Sequence, residues 1–168
     1  MNDSKAPENP ADRDLTSTIH LSALRSVPKP RPLEEVYGLL SLEEREIVSQ
    51  LPSNSAMLIV IAGPNRGARF LIDSDETAIG RDPKSEIFLD DVTVSRKHAV
   101  IKRSAAIDFN VGESKAGESK AGDFNVSDQG SLNGTYVNAH QIQESPLAVG
   151  DELQIGKFRL TYFRGRGN

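Results

Sequence analysis

The 168-residue chain is long enough for one domain with additional segments and too short for two sizeable hydrophobic cores. It contains no cysteine, which excludes disulfides and thiolate chemistry, and its net charge of −4 argues against general nucleic-acid binding. No apolar run approaches the roughly 18 residues of a membrane helix, and the polar start lacks the apolar region of a signal peptide. We therefore expect a cytoplasmic protein that binds neither nucleic acid nor membrane.

Residues 1–31 are rich in Pro, Asp, Asn, Ser and Lys. Such a segment cannot bury enough apolar surface to offset its ordering entropy, so we predict a disordered tail. The stretch DLTSTIHLSAL differs from this background, because hydroxyl side chains stand between acidic residues upstream and apolar residues downstream. These acidic and hydroxyl residues are Asp12, Asp14, Thr16, Ser17 and Thr18.

Residues 32–52 have a helical pattern. Pro32 suits a first helical turn, and Ser41 with Glu44 forms a capping-box pattern that predicts a second helical start. Apolar residues follow at helical spacing until Pro52 ends the run: Leu40, Ile47, Val48 and Leu51. We favour a short helical segment packed on the main domain, with a docking helix for a partner protein as the alternative.

Over residues 53–165 the sequence pattern changes to short runs of β-forming residues bounded by turn residues. The runs are MLIVIA, ARFLI, TAIG, EIFL, HAVIKR, DFNV, TYVN, ELQIG and FRLTYF. They are rich in Val, Ile and Phe, and no helical pattern separates them. This organisation predicts an all-β fold, an antiparallel β-sandwich.

A repeat interrupts the β pattern, because DFNV occurs twice, fifteen positions apart, in DFNVGESKAGESKAGDFNV. Its Gly, Glu, Ser and Lys residues are typical of a linker, so we predict a surface insertion at about 108–122. A tolerated insertion is favoured over a functional one. We assign the second copy to the core, since Phe124 leads directly into SDQGSLNGT.

Three polar residues stand where predicted strands begin or end. If HAVIKR and the second DFNV form a hairpin, Ser95 before one strand and Asn133 after the other lie at the same end of the sheet. The repeat then projects from the far end. Arg81, which follows TAIG, adds a cation to a hydroxyl and an amide. Each residue alone is compatible with an ordinary turn, but together they indicate a binding site on loops held by a rigid scaffold.

Gly80-Arg81, Ser95-x-x-His98 and Asn133-Gly134 occur in the order found in forkhead-associated (FHA) domains. These domains are phosphothreonine-binding β-sandwiches of eleven strands, and the sequence resembles them over about residues 57–163. The interval from His98 to Asn133 is 35, and removal of one fifteen-residue repeat leaves 20, which is more typical of the family.

The resemblance implies a role for each residue of the pattern. Arg81 and Ser95 would bind the phosphate, Arg96 would be a further cation, and Asn133 would hydrogen-bond the ligand backbone. Four residues would line the site, namely Thr93, Val94, Ser131 and Leu132. Three would be architectural, namely Gly80, His98 and Gly134.

The runs SEIFLDDVTVSRKHA, GSLNGTYVN and GDELQIGKFRL resemble small actinobacterial FHA proteins that control 2-oxoglutarate metabolism. In those proteins a Ser/Thr protein kinase phosphorylates a threonine of the tail, which then docks on the protein's own FHA domain. The unphosphorylated domain binds and inhibits the E1 (decarboxylase) component of 2-oxoglutarate dehydrogenase. Some members also regulate glutamate-metabolising enzymes, so glutamate dehydrogenase and glutamate synthase are further expected partners.

The tail departs from the family motif, because Leu15 stands where the first threonine is expected. Thr16 then takes the second position as the phosphorylation site, and Thr18 is the alternative. A different function is an adaptor that recruits phosphorylated partners in trans.

Catalysis is not expected. His20, His98 and His140 lack metal-ligand spacing, and no third group is evident that would orient His98 as a base for Ser95. We therefore predict no catalytic residue, metal or cofactor, and a monomer.

Overall fold

A computed structural model describes residues 31–104 and 123–166. These residues form two short helices, α1 (Leu33–Gly38) and α2 (Leu42–Ser49), followed by eleven strands. The first six strands are β1 (Ala56–Ala62), β2 (Arg69–Ile72), β3 (Glu76–Gly80), β4 (Ile87–Phe88), β5 (Ala99–Arg103) and β6 (Phe124–Asp128). The others are β7 (Thr135–Val137), β8 (His140–Ile142), β9 (Glu144–Leu147), β10 (Glu152–Ile155) and β11 (Phe158–Arg164).

Two sheets face each other. In the described residues, a six-stranded sheet has the order β2-β1-β11-β10-β7-β8, and a five-stranded sheet has the order β4-β3-β5-β6-β9. The side chains that point between the two sheets, such as Leu58, Ile101 and Phe158, form the main core. The predicted β-sandwich is therefore confirmed. It is not wholly antiparallel, because β3 and β4 pair in parallel at Ile79 and Ile87.

The two helices pack on the outer face of the six-stranded sheet. Ser41 and Glu44 form the predicted capping box at the start of α2. The apolar residues of the helical segment and of the sheet make a second core: Val36, Leu40, Val48, Leu51, Met57, Ile59 and Phe163. Because β1 is covered by this core on one side and by the main core on the other, five of its seven residues are buried.

β5 and β6 form the predicted hairpin. Arg103 pairs with Phe124 at one end, and Ala99 pairs with Asp128 at the other. Phe124 is fully buried, which confirms that the second DFNV copy occupies the core. The first copy and the proposed insertion at 108–122 lie outside the described residues. The tail, including Thr16 and Thr18, also lies outside them, and its predicted disorder and domain boundaries stay predictions.

Candidate functional site

Three loops meet at the end of the sandwich where β3 ends and β5 begins. We call residues 81–86 the first rim loop, 89–98 the second and 129–134 the third. The backbone joins the first two, because the Arg81 N–H donates to the Ser95 carbonyl at 3.0 Å and the Asp82 N–H donates to the Arg96 carbonyl at 3.2 Å. Arg81 and Ser95, which are 14 positions apart in the sequence, are therefore on adjacent segments of chain.

His98 joins the second rim loop to the third. Its imidazole is fully buried, and its Nδ1 accepts a hydrogen bond from the Ser95 N–H at 3.0 Å. The ring proton is therefore on Nε2, which donates to the Gly134 carbonyl at 3.0 Å. This neutral tautomer fixes the segment that carries Ser95 relative to the segment that carries Asn133.

Side chains of the second and third rim loops also cross-link the two segments. The Ser95 hydroxyl accepts a hydrogen bond from the Leu132 N–H at 3.0 Å, and the Asn133 amide donates to the Thr93 carbonyl at 2.9 Å. Ser95 and Asn133, predicted to be neighbours, are thus brought together. The Ser95 hydroxyl still has its own proton to donate, and the Asn133 side-chain oxygen has no partner among the described residues.

Two glycines permit this close approach. A Cβ at Gly80 would overlap the Arg96 carbonyl oxygen, so only glycine allows the first and second rim loops to pack as they do. Gly134 has a φ of +81°, and a Cβ there would lie 2.6 Å from Nε2 of Gln141. The path of the backbone therefore favours glycine at both of these architectural positions.

Two exposed guanidinium groups lie on the rim loops of the site. Arg81 and Arg96 are both exposed, and neither forms an ion pair within residues 31–104 and 123–166. Leu132 is 90% exposed on the third rim loop, whereas Thr93 and Ser131 are half-buried. Val94 differs from the prediction, because its side chain is 1% exposed and packs in the main core instead of lining the site.

Asp128 supports the third rim loop and was not singled out in the sequence. Its carboxylate accepts hydrogen bonds from the Ser131 hydroxyl at 2.5 Å, the Ser131 N–H at 3.0 Å and the Thr135 hydroxyl at 2.7 Å. Burial raises the pKa of Asp128, but the hydrogen bonds outweigh it and hold the pKa below the usual 3.8. The sequence Asp-x-x-Ser was a signal for this turn.

Asp91 has the same function in the second rim loop. Its carboxylate accepts from the Thr93 hydroxyl at 2.6 Å and the Thr93 N–H at 2.8 Å. The hydroxyl bond is the main reason that the pKa of Asp91 lies below 3.8. The Thr93 hydroxyl in turn accepts from the Lys157 N–H at 3.0 Å, which attaches the β10–β11 turn to the site.

Two other features, a metal-ligand cluster and a membrane-spanning helix, are absent from the part of the chain that the structure describes. That part contains no group of three or more His, Cys, Asp or Glu side chains that could hold a metal ion. No helix within it is both long enough and apolar enough to cross a membrane.

An eleven-stranded sandwich with cross-linked rim loops that present two guanidinium groups, a hydroxyl and an amide defines an FHA-domain protein. The family model of the FHA domain matches residues 77–156. The FHA domain of CT664 from Chlamydia trachomatis superposes with a TM-score of 0.53 at 26% identity, covering 67% of this chain and 99% of that one.

The sequence identity to two whole proteins is higher than the identity to this solved domain. The oxoglutarate dehydrogenase inhibitor of Corynebacterium efficiens is 47% identical over 133 residues, which cover 79% of this chain and 82% of the relative. The glycogen accumulation regulator GarA of Mycolicibacterium smegmatis is 51% identical over 118 residues, which cover 70% and 65% of the two chains. The chain therefore belongs to the family of FHA-domain regulators that includes these proteins.

Proposed function

We propose that this protein is a phosphothreonine-binding regulator that inhibits 2-oxoglutarate dehydrogenase while it is unphosphorylated. Phosphorylation of Thr16 by a Ser/Thr protein kinase, with Thr18 as the alternative acceptor, switches it off through binding of the tail to its own FHA domain. The protein is a cytoplasmic binding module and not an enzyme.

The observation that supports a phosphothreonine site is that hydrogen bonds join the second and third rim loops and bring Ser95 and Asn133 together. Arg81 and Ser95 bind the phosphate, with Arg96 as a further cation, because a guanidinium and a hydroxyl suit phosphate oxygens. Such charge-assisted bonds are about twice as strong as neutral ones. Asn133 holds the ligand backbone through its unpartnered side-chain oxygen. Thr93, Ser131 and Leu132 border the bound residue.

The names of the relatives support the enzyme target. The Corynebacterium efficiens relative is an oxoglutarate dehydrogenase inhibitor, and its similarity extends over 79% of this chain. We assign the E1 (decarboxylase) component as the partner, with glutamate dehydrogenase and glutamate synthase as further targets. This binding requires no phosphate on the partner, so occupation of the rim by a phosphorylated tail is a means to block it.

The position of Arg31 favours self-docking. Its guanidinium binds the Glu152 carboxylate at 2.9 Å, which attaches the start of the described chain to β10. The β10–β11 turn contacts Thr93 at the rim. Thr16 is therefore fifteen positions from an attached residue, and a flexible chain of that length would span roughly 21 Å. Tethering gives an effective concentration on the order of a millimolar.

Titration of the full-length protein with a peptide of residues 12–24 tests the phosphothreonine site. The peptide is used unmodified, phosphorylated at Thr16 and phosphorylated at Thr18. We expect one phosphorylated form to bind, and Arg81→Ala to weaken it by at least about thirtyfold, equivalent to about 2 kcal/mol. Arg45→Ala, on exposed α2, is the matched control and should bind normally. If neither phosphorylated form binds better than the unmodified peptide, the proposal is wrong.

Inhibition of 2-oxoglutarate dehydrogenase separates the switch from the adaptor. Kinase treatment should abolish inhibition by the natural chain but not by the Thr16→Ala/Thr18→Ala variant. Continued inhibition by the phosphorylated natural chain, together with normal capture of phosphorylated partners by the variant, would identify an adaptor that acts in trans.

A further inference from the structure

A groove of about 340 Å³ crosses the outer face of the five-stranded sheet and begins beside the candidate site. Its floor includes Ala78 of β3, which lies directly opposite Val100 of β5. The walls include Asp82 and Lys84 of the first rim loop and Lys97 of the second. The Asp82 N–H donates to the Arg96 carbonyl, so the groove starts one residue beyond the proposed phosphate ligands.

The two ends of this groove differ in charge. At the end near the site, Lys84 and Lys97 are exposed, and neither has an ion-pair partner among the described residues. The nearby Asp82 carboxylate is used within its own turn, where it accepts from the Lys84 N–H at 3.0 Å. At the far end, Glu76 is paired with Lys102 at 3.3 Å. The Glu86 carboxylate of the first rim loop accepts from the Ala78 N–H at 2.9 Å. Both carboxylates at the end near the site thus accept backbone hydrogen bonds, whereas the two lysine ammonium groups have no ion-pair partner among the described residues.

We infer that Lys84 and Lys97 bind acidic residues on the N-terminal side of the phosphothreonine, which in this chain are Asp12 and Asp14. This inference rests on the proposed function and adds a specificity-determining region to it. All the acidic residues between positions 9 and 30 lie upstream of Thr16. If the tail binds as an extended peptide, a rise of about 3.3 Å per residue would put Asp14 about 7 Å and Asp12 about 13 Å from Thr16.

The charges of the second rim loop before Ser95 support this direction. Asp90 and Asp91 of the second rim loop would repel acidic ligand residues, and Lys157 lies 3.9 Å from the Asp91 carboxylate. Beyond Arg81 and Arg96, Lys84 and Lys97 are thus the rim-loop cations without an ion-pair partner in the described residues. A phosphopeptide with upstream aspartates is therefore attracted to the groove end beside the first rim loop.

The test measures whether the two lysines and the two aspartates act on the same contact. The full-length protein is titrated at low salt with the 12–24 peptide phosphorylated at Thr16, and with the same phosphopeptide carrying Asp12→Asn and Asp14→Asn. We expect Lys84→Gln/Lys97→Gln to weaken the acidic phosphopeptide by about fivefold, since exposed ion pairs are modest. For the phosphopeptide with both aspartates changed to asparagine, the same two lysine substitutions should weaken binding by less than about 1.5-fold. A salt concentration of about 0.5 M should remove the difference between the two phosphopeptides.

Lys102→Gln is the matched control, because Lys102 is on the same sheet face but is paired with Glu76 at the far end. It should bind both phosphopeptides as the natural chain does. Equal losses for the two phosphopeptides, or no loss for either, would overturn the inference while the phosphothreonine site remains. Absence of any phosphate-dependent binding, by contrast, would reject the proposed function and this inference with it.

Discussion

The Ser95 N–H donates to Nδ1 of His98 at 3.0 Å, so a loop residue is held by a fully buried imidazole. The other nitrogen of the ring donates to the Gly134 carbonyl. One side chain thus spans the two loops from which Ser95 and Asn133 project. Its polar atoms face backbone groups and not solvent, which suits a structural position better than a catalytic one.

His98→Ala should lower both stability and phosphopeptide affinity. The substitution removes two hydrogen bonds and leaves a cavity, so we expect the free energy of unfolding to fall by about 2–4 kcal/mol. Affinity for the phosphorylated peptide should fall at least tenfold at a temperature where the variant is still folded. Urea unfolding and calorimetric titration measure the two effects. His140→Ala, which alters a half-buried hairpin residue, is the control and should retain affinity.

Gly80→Ala should destabilise the protein although it adds only a methyl group. The new Cβ would overlap the Arg96 carbonyl oxygen, so the first and second rim loops must separate. We expect a loss of about 2 kcal/mol or more in chemical unfolding, together with weaker phosphopeptide binding. Gly38→Ala is the matched substitution, since nothing lies within 4 Å of its Cβ position in α1. It should be neutral or stabilising by up to about 1 kcal/mol; equal effects at the two positions would contradict the argument.

The sequence could predict most of the sandwich because its strands are local, alternating runs of β-forming residues. β8 and β9 had no such signal: β9 contains Pro146 and lies at a sheet edge, where the missing N–H is tolerated. The parallel pairing of β4 with β3 also could not be predicted, because β4 has only two residues. These are elements that tertiary contacts determine.

The candidate site was predictable in part, since Ser95 and Asn133 follow from the pairing of two strands. The buried position of Val94 was not predictable, because its polar, half-buried neighbours Thr93 and Ser95 belong to a loop pattern. The contact between Thr93 and the β10–β11 turn joins residues 64 positions apart, and no local pattern indicates it. The groove with Lys84 and Lys97 likewise depends on how two loops meet.

Asp128→Asn should lower the free energy of unfolding by an amount that depends on pH. The pKa of Asp128 in the folded protein is below 3.8, so the carboxylate contributes stability that is fully present above that value. The contribution is lost as the pH falls below 3.8 through the folded pKa. We expect the natural chain to exceed Asp128→Asn by about 2 kcal/mol at pH 7, and the difference to shrink below pH 3.8.

Urea unfolding at a series of pH values between 7 and about 2.5 measures this difference. Asp90→Asn is the control, since Asp90 is exposed and its side chain accepts no hydrogen bond within the described residues. It should change stability by less than about 0.5 kcal/mol. A stability difference for Asp128→Asn that stays constant down to pH 2.5 would contradict the assignment of Asp128 as an ionised hydrogen-bond acceptor.

Deletion of residues 108–122 should preserve the fold and the site. The deletion joins Ile107 to Asp123 and restores the local sequence Ile-Asp-Phe-Asn-Val, and it keeps the ion pair between Asp123 and Arg164. The connection between Arg103 and Phe124 shortens from 20 residues to five, which reduces loop-closure entropy by about 1 kcal/mol. We therefore expect unchanged phosphopeptide affinity and a melting temperature that is equal or a few degrees higher, by titration and calorimetry. No effect on affinity is expected because the hairpin places the attachment of the repeat at the end opposite Ser95. A loss of affinity would contradict this and show that the repeat contributes to binding.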